Sequence, residues 1–443
     1  MVLPRKIASP VPKVPKVSDG AVSLQRKGWF EKTYRIEVIT PMFGGVFPGE
    51  TDPVTPVRTS SIRGQLRFWW RATMGADCKD SQVLADREGE IWGTTERESR
   101  VQLSVDIVSE GMSEECASRT GGSKFPKPNQ DYPGYVIFPF QGTTQDPEIK
   151  KAQKGVIFNL HLACPEEVRR DAETALWAFC NFGGLGARTR RGCGALFCKD
   201  FAPSDRSELG KAIQKYRRND TPEHPWPELF TALHIKDNGN SNAISAWKQS
   251  IQTLQTFRQG NDIGRNPGED PKRPGRSRWP EPETIRKITG SRDLKHQRMA
   301  AVPDDGFPRA DFGLPIIFQF QSNTDPKVSQ LLPYFPEKRA DEKEGNRMAS
   351  PLILRPLLFK DGKAASMILF LRTPPLEAVI LQPSRGDENV FYRMDIVDKR
   401  FASYNKSPLG IPENGTLPRS AKGSVIEGFL SFAKENGFEE VNQ

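Results

Sequence analysis

Between residues 34 and 39 apolar and charged positions alternate, with Tyr34, Ile36 and Val38 separated by Arg35 and Glu37. Alternation places successive side chains on opposite faces of a strand, so this segment reads as a half-buried β-strand. The same pattern returns over residues 101–108 and 156–162. A glycine- and proline-rich loop is expected over 40–56. From there the apolar spacing changes to a period of about 3.6 residues, with Ser60 or Ser61 as the cap of a helix running to about Met74. Residues 90–93 read as the end of a further helical stretch, and 111–132, rich in Gly, Pro, Ser and Asn, as a loop. A second periodic helix covers 166–182, and after a glycine-rich run a strand is expected over 195–201. The order strand, helix, strand, insertion, strand, helix, glycine loop, strand is that of a split βαβ, or ferredoxin-like, unit with an antiparallel sheet.

Beyond residue 205 the pattern is less regular. A helix is expected over 242–258, strands over 314–320, 351–359 and 364–371, and a C-terminal helix over 424–434, with a polar, basic segment at 260–298 interrupting them. At roughly 150 residues per domain, a chain of 443 residues exceeds one ordinary core. The expected fold class is α+β, with two ferredoxin-like (RRM-like) domains, antiparallel sheets and long insertions. The expected division is a Pro/Lys-rich N-terminal extension at 1–31, an N-terminal domain with the glycine-rich loop at 32–205, and a C-terminal domain with the basic insertion at 206–443.

Composition narrows the function classes. Lysine and arginine number 64 against 55 acidic residues, a formal charge of +9, which favours a polyanionic partner. The longest apolar runs, such as 364–371, have strand length, well short of the roughly 18 residues a membrane helix needs. Residues 1–17 alternate proline and lysine and lack the apolar core of a signal peptide, so an extended tail on a cytoplasmic protein is expected. The six cysteines form no CxxC pair, so they read as buried or incidental reduced thiols, with no metal and no cofactor expected.

The placement of arginines is more specific than the net charge. On the helix from Ser60, Ile62, Leu66, Trp69 and Thr73 make an apolar stripe. Arg63, Arg67 and Arg71, each four residues apart, make a second stripe beside Trp70. Like charges at that spacing repel by roughly 0.2–0.5 kcal/mol per pair, and no acidic residue lies between Pro53 and Ala76 to offset it. Phosphates would relieve the repulsion, with Trp70 stacking on a base. A solvated arginine face, or ion pairs to acids distant in sequence, is the other reading of the stripe.

Residues 183–194 hold five glycines, among them Gly184 and Gly186, together with Arg188, Arg190 and Arg191, and no acidic residue. Glycines allow left-handed backbone and close approach to an anion, and arginines add bidentate phosphate donors. The GxxxxGK[ST] pattern is absent, and the order helix–loop–strand puts a helix C-terminus before the loop, so arginines must supply the positive field that a helix N-terminus gives elsewhere. A glycine-rich helix stop with exposed basic residues is the bland reading. Residues 272–298 carry nine Lys/Arg, including Arg278, against three acids, with Trp279 and His296 interleaved. They fit either a single-strand contact or a solvated loop.

The loop resembles the G-rich signature of the RAMP superfamily of CRISPR-associated proteins. Thr40-Pro41-Met42-Phe43-Gly44-Gly45, the run Ser61 to Arg71, Arg278-Trp279-Pro280-Glu281-Pro282, Phe312-Gly313-Leu314-Pro315 and Arg347-Met348-Ala349-Ser350-Pro351-Leu352 narrow the resemblance to the first RAMP subunit of the Cmr complex, the type III-B RNA-guided effector. It spans roughly residues 33–360; the tail and the end of the chain carry no such motif. The resemblance implies two ferredoxin-like domains, no established catalytic centre, and a place in the complex near the 3′ end of the guide RNA, where target RNA is engaged. It also implies that Arg63, Arg67, Trp70 and Arg71 lie near the loop in a shared basic cleft.

Candidate catalytic groups are sparse. His161 lies in a strand with Cys164 on the opposite face, which argues against a joint metal site. His161 or His296 could serve an RNA-cleaving general acid–base step, and Asp52 is a second conceivable group, although an aspartate beside Pro53 reads first as a turn residue. The leading expectation is a non-catalytic RNA-binding subunit whose partners are guide RNA, target RNA and other Cmr subunits, without a membrane. Its RNA-binding residues would be Arg63, Arg67, Trp70, Arg71, Gly184, Gly186, Arg188, Arg190, Arg191 and Arg278. Reversal of Arg188, Arg190 and Arg191 to glutamate is expected to abolish binding with the fold intact. The alternatives are a metal-independent RAMP endoribonuclease and an assembly adaptor without RNA affinity of its own.

Overall fold

The computed structural model describes residues 26–441 apart from 45–54, 120–125, 143–146, 217, 219–223, 238, 240–241, 262, 269–274, 294–305, 321, 335–346, 375, 377, 384–391 and 396–424. The Pro/Lys tail up to Val17, Asp52, His296 and the two ends of the basic 272–298 segment lie outside the described residues.

The first half runs β1 (Trp29–Val38), α1 (Thr59–Ala72), α2 (Ser81–Trp92), β2 (Gln102–Ser109), β3 (Ile157–Pro165), α3 (Arg169–Phe182) and β4 (Leu196–Phe197). Its four strands form one antiparallel sheet in the order β2-β3-β1-β4. In the second half β5 (Glu228–Asp237), α4 (Ala243–Gln259), β6 (Leu352–Leu358), β7 (Ala364–Arg372), α5 (Val425–Glu435) and β8 (Glu439–Glu440) repeat the plan. Their sheet order is β6-β7-β5-β8, again antiparallel. In both sheets the first strand of the unit lies between its third and fourth, and the second lies outside the third. A third antiparallel sheet, from Ile316–Ile317, Val328–Tyr334, Ala378–Pro383 and Tyr392–Asp395, belongs to segments inserted into the second half.

Several boundaries differ from the sequence reading for local reasons. Helix α1 starts at Thr59 with Arg58 in the N-cap position and no side-chain cap, so neither serine caps it. The strand expected over 195–201 is two residues long, because the amides of Phe201 and Ala202 turn back onto the Cys198 carbonyl. Within the basic segment, Pro280 and a left-handed Gly290 bracket a helix, Glu281–Thr289. The 111–132 loop contains a short strand, Met112–Glu115, paired with Lys151–Lys154. Strand β5 was not anticipated, because its His234 is buried between Leu233 and Ile235 and the alternation of apolar and polar residues disappears.

That loss of alternation has a cause. Strands β6 and β7 are buried along nearly their whole length. Leu352, Leu354 and Ile368 pack against Trp247, Ile251, Leu254 and Phe257 of α4. Ile353, Leu357, Met367 and Leu369 join the same cluster as Trp177, Phe179 and Phe182 of α3. The second sheet is thus covered on both faces, by its own helix and by the first half, and its strands become continuous apolar runs.

One position in that apolar run is a charge. Arg355 is 0% exposed. Its Nη1 donates to the carbonyls of Cys180 at 3.1 Å and Gly183 at 2.7 Å, its Nη2 to Leu196 at 2.6 Å, and its Nε to Pro356 at 3.0 Å. Cys180 and Gly183 close α3, where carbonyls lack intrahelical donors and carry the negative end of the helix dipole. Burial pulls the guanidinium down to about 9, which leaves it charged at neutral pH. Because each buried carbonyl stripped of its donor costs about 1–3 kcal/mol, Arg355→Met is expected to lower unfolding stability by at least about 2 kcal/mol. Arg355→Lys should not restore it, since an ammonium cannot span three acceptors in one plane. Urea titration of the variants checks this, and an unchanged midpoint would refute it.

Candidate nucleic-acid interface

The glycine-arginine loop follows α3 and is held from behind by the segment after β1. Thr40 Oγ1 donates to the Gly192 carbonyl at 2.6 Å and accepts from the Ala195 amide at 2.8 Å. The amides of Ala187 and Gly194 donate to the Phe43 and Pro41 carbonyls. A Cβ on Gly186, at φ +82°, would lie 2.2 Å from the Phe43 oxygen, and one on Gly184 2.9 Å from the Gly194 oxygen. On the side of the missing Cβ, the space at these two glycines is therefore filled by neighbouring backbone.

The arginines of the loop divide sharply. Arg190 Nη1 donates to the Ser350 carbonyl, and its guanidinium lies 5.5 Å from the Phe68 ring of α1. Arg191 donates to the Leu352 carbonyl at 2.9 Å, Ser350 Oγ at 3.0 Å and the Phe312 carbonyl at 3.4 Å. Its own carbonyl accepts from Trp247 Nε1 at 2.6 Å. Burial brings both guanidiniums down to about 10. Arg190 and Arg191 thus fasten the loop to the second half. Their reversal to glutamate would break that junction, so the expectation of an intact fold is corrected.

Arg188 is different. Its φ is +58°, the one positive value at a non-glycine among the described residues. Its Nε is buried without a hydrogen-bond partner. Burial lowers its basicity. A left-handed non-glycine and an unsatisfied guanidinium nitrogen each raise the free energy of the free protein, a combination that marks functional positions. Nearby, Arg258 at the end of α4 donates to Tyr135 Oη at 2.8 Å and lies 6.0 Å from the Tyr135 ring. Besides burial, Arg191 feels the repulsion of Arg258, Arg188 and Arg190 together.

The helix stripe is also redistributed. Ile62, Leu66, Trp69 and Thr73 are buried as the spacing implied. Trp70 is buried too, at 0% exposure, with its Nε1 on Asp171 Oδ1 at 2.7 Å, so it offers no face to a base. Arg71 holds both oxygens of Glu88, at 2.7 and 2.8 Å, and Arg67 Nε bonds the same carboxylate. Arg63 donates to Ser99 Oγ at 2.6 Å and the Val101 carbonyl at 3.1 Å. A buried acid on α2 thus offsets the repulsion at Arg67 and Arg71, the intramolecular alternative, while Arg63 rests on neutral acceptors. Arg278 sits half-buried with its amide on the Gly264 carbonyl. The two stretches do meet, through Phe68 and Arg190, but they meet as packing.

Sequence reasoning missed Tyr135, Arg258 and Arg355. A solitary arginine in the apolar run 351–359 was the available signal for Arg355; the other two are brought in by tertiary contacts alone. Away from the loop, on the open face of the first sheet, His161 Nδ1 is 2.7 Å from Thr33 Oγ1 and its Nε2 is 2.6 Å from Asp106 Oδ2. Cys164 is buried on the other face, and all six cysteines are free and buried. No group of three or more His, Cys, Asp and Glu fit to hold a metal occurs among the described residues. No described helix is long and apolar enough to cross a membrane.

Residues 35–197, which take in most of the first sheet and the whole loop, match the RAMP superfamily model. The chain is similar to two CRISPR system Cmr subunits of Pyrococcus furiosus. With Cmr1-1 it shares 32% identity over 143 residues, 32% of this chain and 40% of that protein. With Cmr1-2 it shares 29% over 180 residues, 38% of this chain and 94% of that one. The crystal structure of Cmr1 from Pyrococcus furiosus, in its apo form, superposes with a TM-score of 0.48 at 18% identity, covering 78% of this chain and 89% of the other. The chain therefore spans less than half the length of the first of these relatives.

The loop gives a sharp stability contrast. A Cβ on Gly192, at φ +81°, would meet Trp247 Cδ1 at 2.5 Å and the Leu354 carbonyl at 2.6 Å. Gly192→Ala is expected to lose at least about 2 kcal/mol through backbone strain and overpacking at the junction. Gly64 in α1 has nothing within 4 Å of its missing Cβ, so Gly64→Ala should gain roughly 0.5–1 kcal/mol. Thermal unfolding of the pair decides; equal effects would contradict the packing described.

Proposed function

We propose that the chain is a non-catalytic RNA-binding subunit of a type III-B CRISPR (Cmr) effector complex, working in the cytoplasm with other Cmr subunits and contacting guide RNA near its 3′ end, target RNA, or both. Its two halves, divided near residue 205, are read as two ferredoxin-like domains, which the repeated strand order supports. Similarity to two Cmr1 subunits supports the assembly. The observation that carries RNA contact is Arg188, a guanidinium with a buried, unpartnered Nε and no carboxylate among the charges acting on it. A phosphodiester supplies the acceptor and the charge that the protein does not. Arg258 lies on the same side of the junction, and Arg190, Arg191 and Arg355 reinforce the field without touching the ligand. Backbone contact of this kind is largely independent of sequence and weakens steeply with salt.

Glycine is the informative replacement for Arg188. Arg188→Gly removes the charge and also the cost of a left-handed side chain, about 1 kcal/mol. Stability should hold or rise while RNA affinity falls at least about tenfold at moderate salt and the salt dependence flattens. Arg35→Glu, on the outer face of the first sheet, should leave affinity within about twofold. Anisotropy titrations with an unstructured RNA test both. Undiminished binding by Arg188→Gly would remove the loop from the interface, and a native chain without affinity at physiological salt would identify an adaptor.

The Thr33–His161–Asp106 arrangement favours a second reading, a metal-independent endoribonuclease, because an imidazole held between a hydroxyl and a carboxylate is equipped for proton transfer. Specific cleavage of labelled RNA in EDTA, lost in His161→Ala, would establish it.

A further inference from the structure

We infer that the ligand engages this site as a single strand, with a base stacked on Phe138 beside the Arg188–Arg258 pair. The inference rests on the RNA reading above and extends it to a segment that no motif pointed to. The insertion between β2 and β3 contains a short helical turn, Gly134–Ile137, continued by a helical Phe138. Val136, Ile137 and Phe140 are buried, whereas Tyr135 is half-buried and Phe138 is 63% exposed. Residues three apart share a helix face, so Phe138 projects from the side of the turn where Tyr135 packs on the core.

That face adjoins the arginines. Tyr135 accepts a hydrogen bond from Arg258, whose guanidinium lies 6.0 Å from the Tyr135 ring. Phe140, two residues beyond Phe138, stacks on Phe43 with ring centroids 4.3 Å apart, and Phe43 pairs with Ala187, the neighbour of Arg188. The turn is therefore braced against the loop through Phe43. A single exposed phenylalanine is ordinary. One held on a rigid turn next to an uncompensated cluster of guanidiniums is complementary to a polyanion whose repeating unit carries an aromatic ring. A duplex keeps its base faces stacked inside and cannot offer one. A single strand offers a base and a phosphate together, and each such stack changes affinity by a factor of about 5 to 100.

The test uses the full chain, with native protein, Phe138→Ala and Phe138→Trp titrated against a single-stranded RNA, the same RNA carrying abasic positions, and its blunt duplex. Phe138→Ala should bind the single strand about 5- to 100-fold more weakly and the abasic strand like the native protein, while Phe138→Trp should keep native affinity. The duplex should bind more weakly than the single strand to native protein. Native affinity of Phe138→Ala for the single strand, an equal loss on the abasic strand, or a duplex bound as well as the strand would each overturn the proposal. Loss of a copurifying Cmr subunit with RNA affinity intact would make Phe138 a protein contact and overturn it likewise. If Arg188→Gly retains affinity as well, the RNA reading fails; if only Phe138→Ala retains it, the stacking alone fails.

Discussion

A guanidinium held by carbonyls organises this protein. Arg355 reaches from the second sheet into the C-terminus of α3 and onto β4, meeting backbone oxygens that their own elements cannot satisfy. Arg190 and Arg191 make the reciprocal reach, from the loop to the entrance of β6. All three contacts join charge to dipole, and none joins charge to charge. The junction consequently remains positive once assembled, where a conventional ion pair would have cancelled it. Its structural charge and its electrostatic field are one property.

Arginine is used in three ways within a small region. Backbone acceptors hold Arg190, Arg191 and Arg355; Glu88 holds Arg67 and Arg71; Arg188 is left with a nitrogen unpaired. The distinction lies wholly in what surrounds each side chain. A glycine-rich context did not determine it, because the room at Gly184 and Gly186 is taken up by the chain itself.

The first half was legible in sequence to the extent that one face of its sheet meets solvent. Tyr34, Ile36 and Val38 alternate inward, and α1 buries Ile62, Leu66 and Trp69 as its spacing requires. The second sheet was only partly legible, because cover on both faces erases alternation, and β5 with its buried His234 shows this most clearly. The fate of the arginines could not be read locally. Glu88 lies 17 residues beyond Arg71, and Ser350 lies 160 beyond Arg190. Stripe geometry predicts that like charges need relief and says nothing of where it comes from. Trp70 was misplaced for a related reason: it adjoins the charged stripe in the helical projection, yet α3 closes over it and supplies Asp171.

The apolar cluster that runs without interruption from β1 and α3 into β5, β6 and β7 makes the two units inseparable as folding bodies. Topology counts two repeats; the hydrophobic interior counts one. Cleaving the chain at the boundary between them would strip solvent cover from a sheet that has no polar face of its own, so fragments would adhere to each other or precipitate. Duplication in the architecture has here been welded into a single cooperative block.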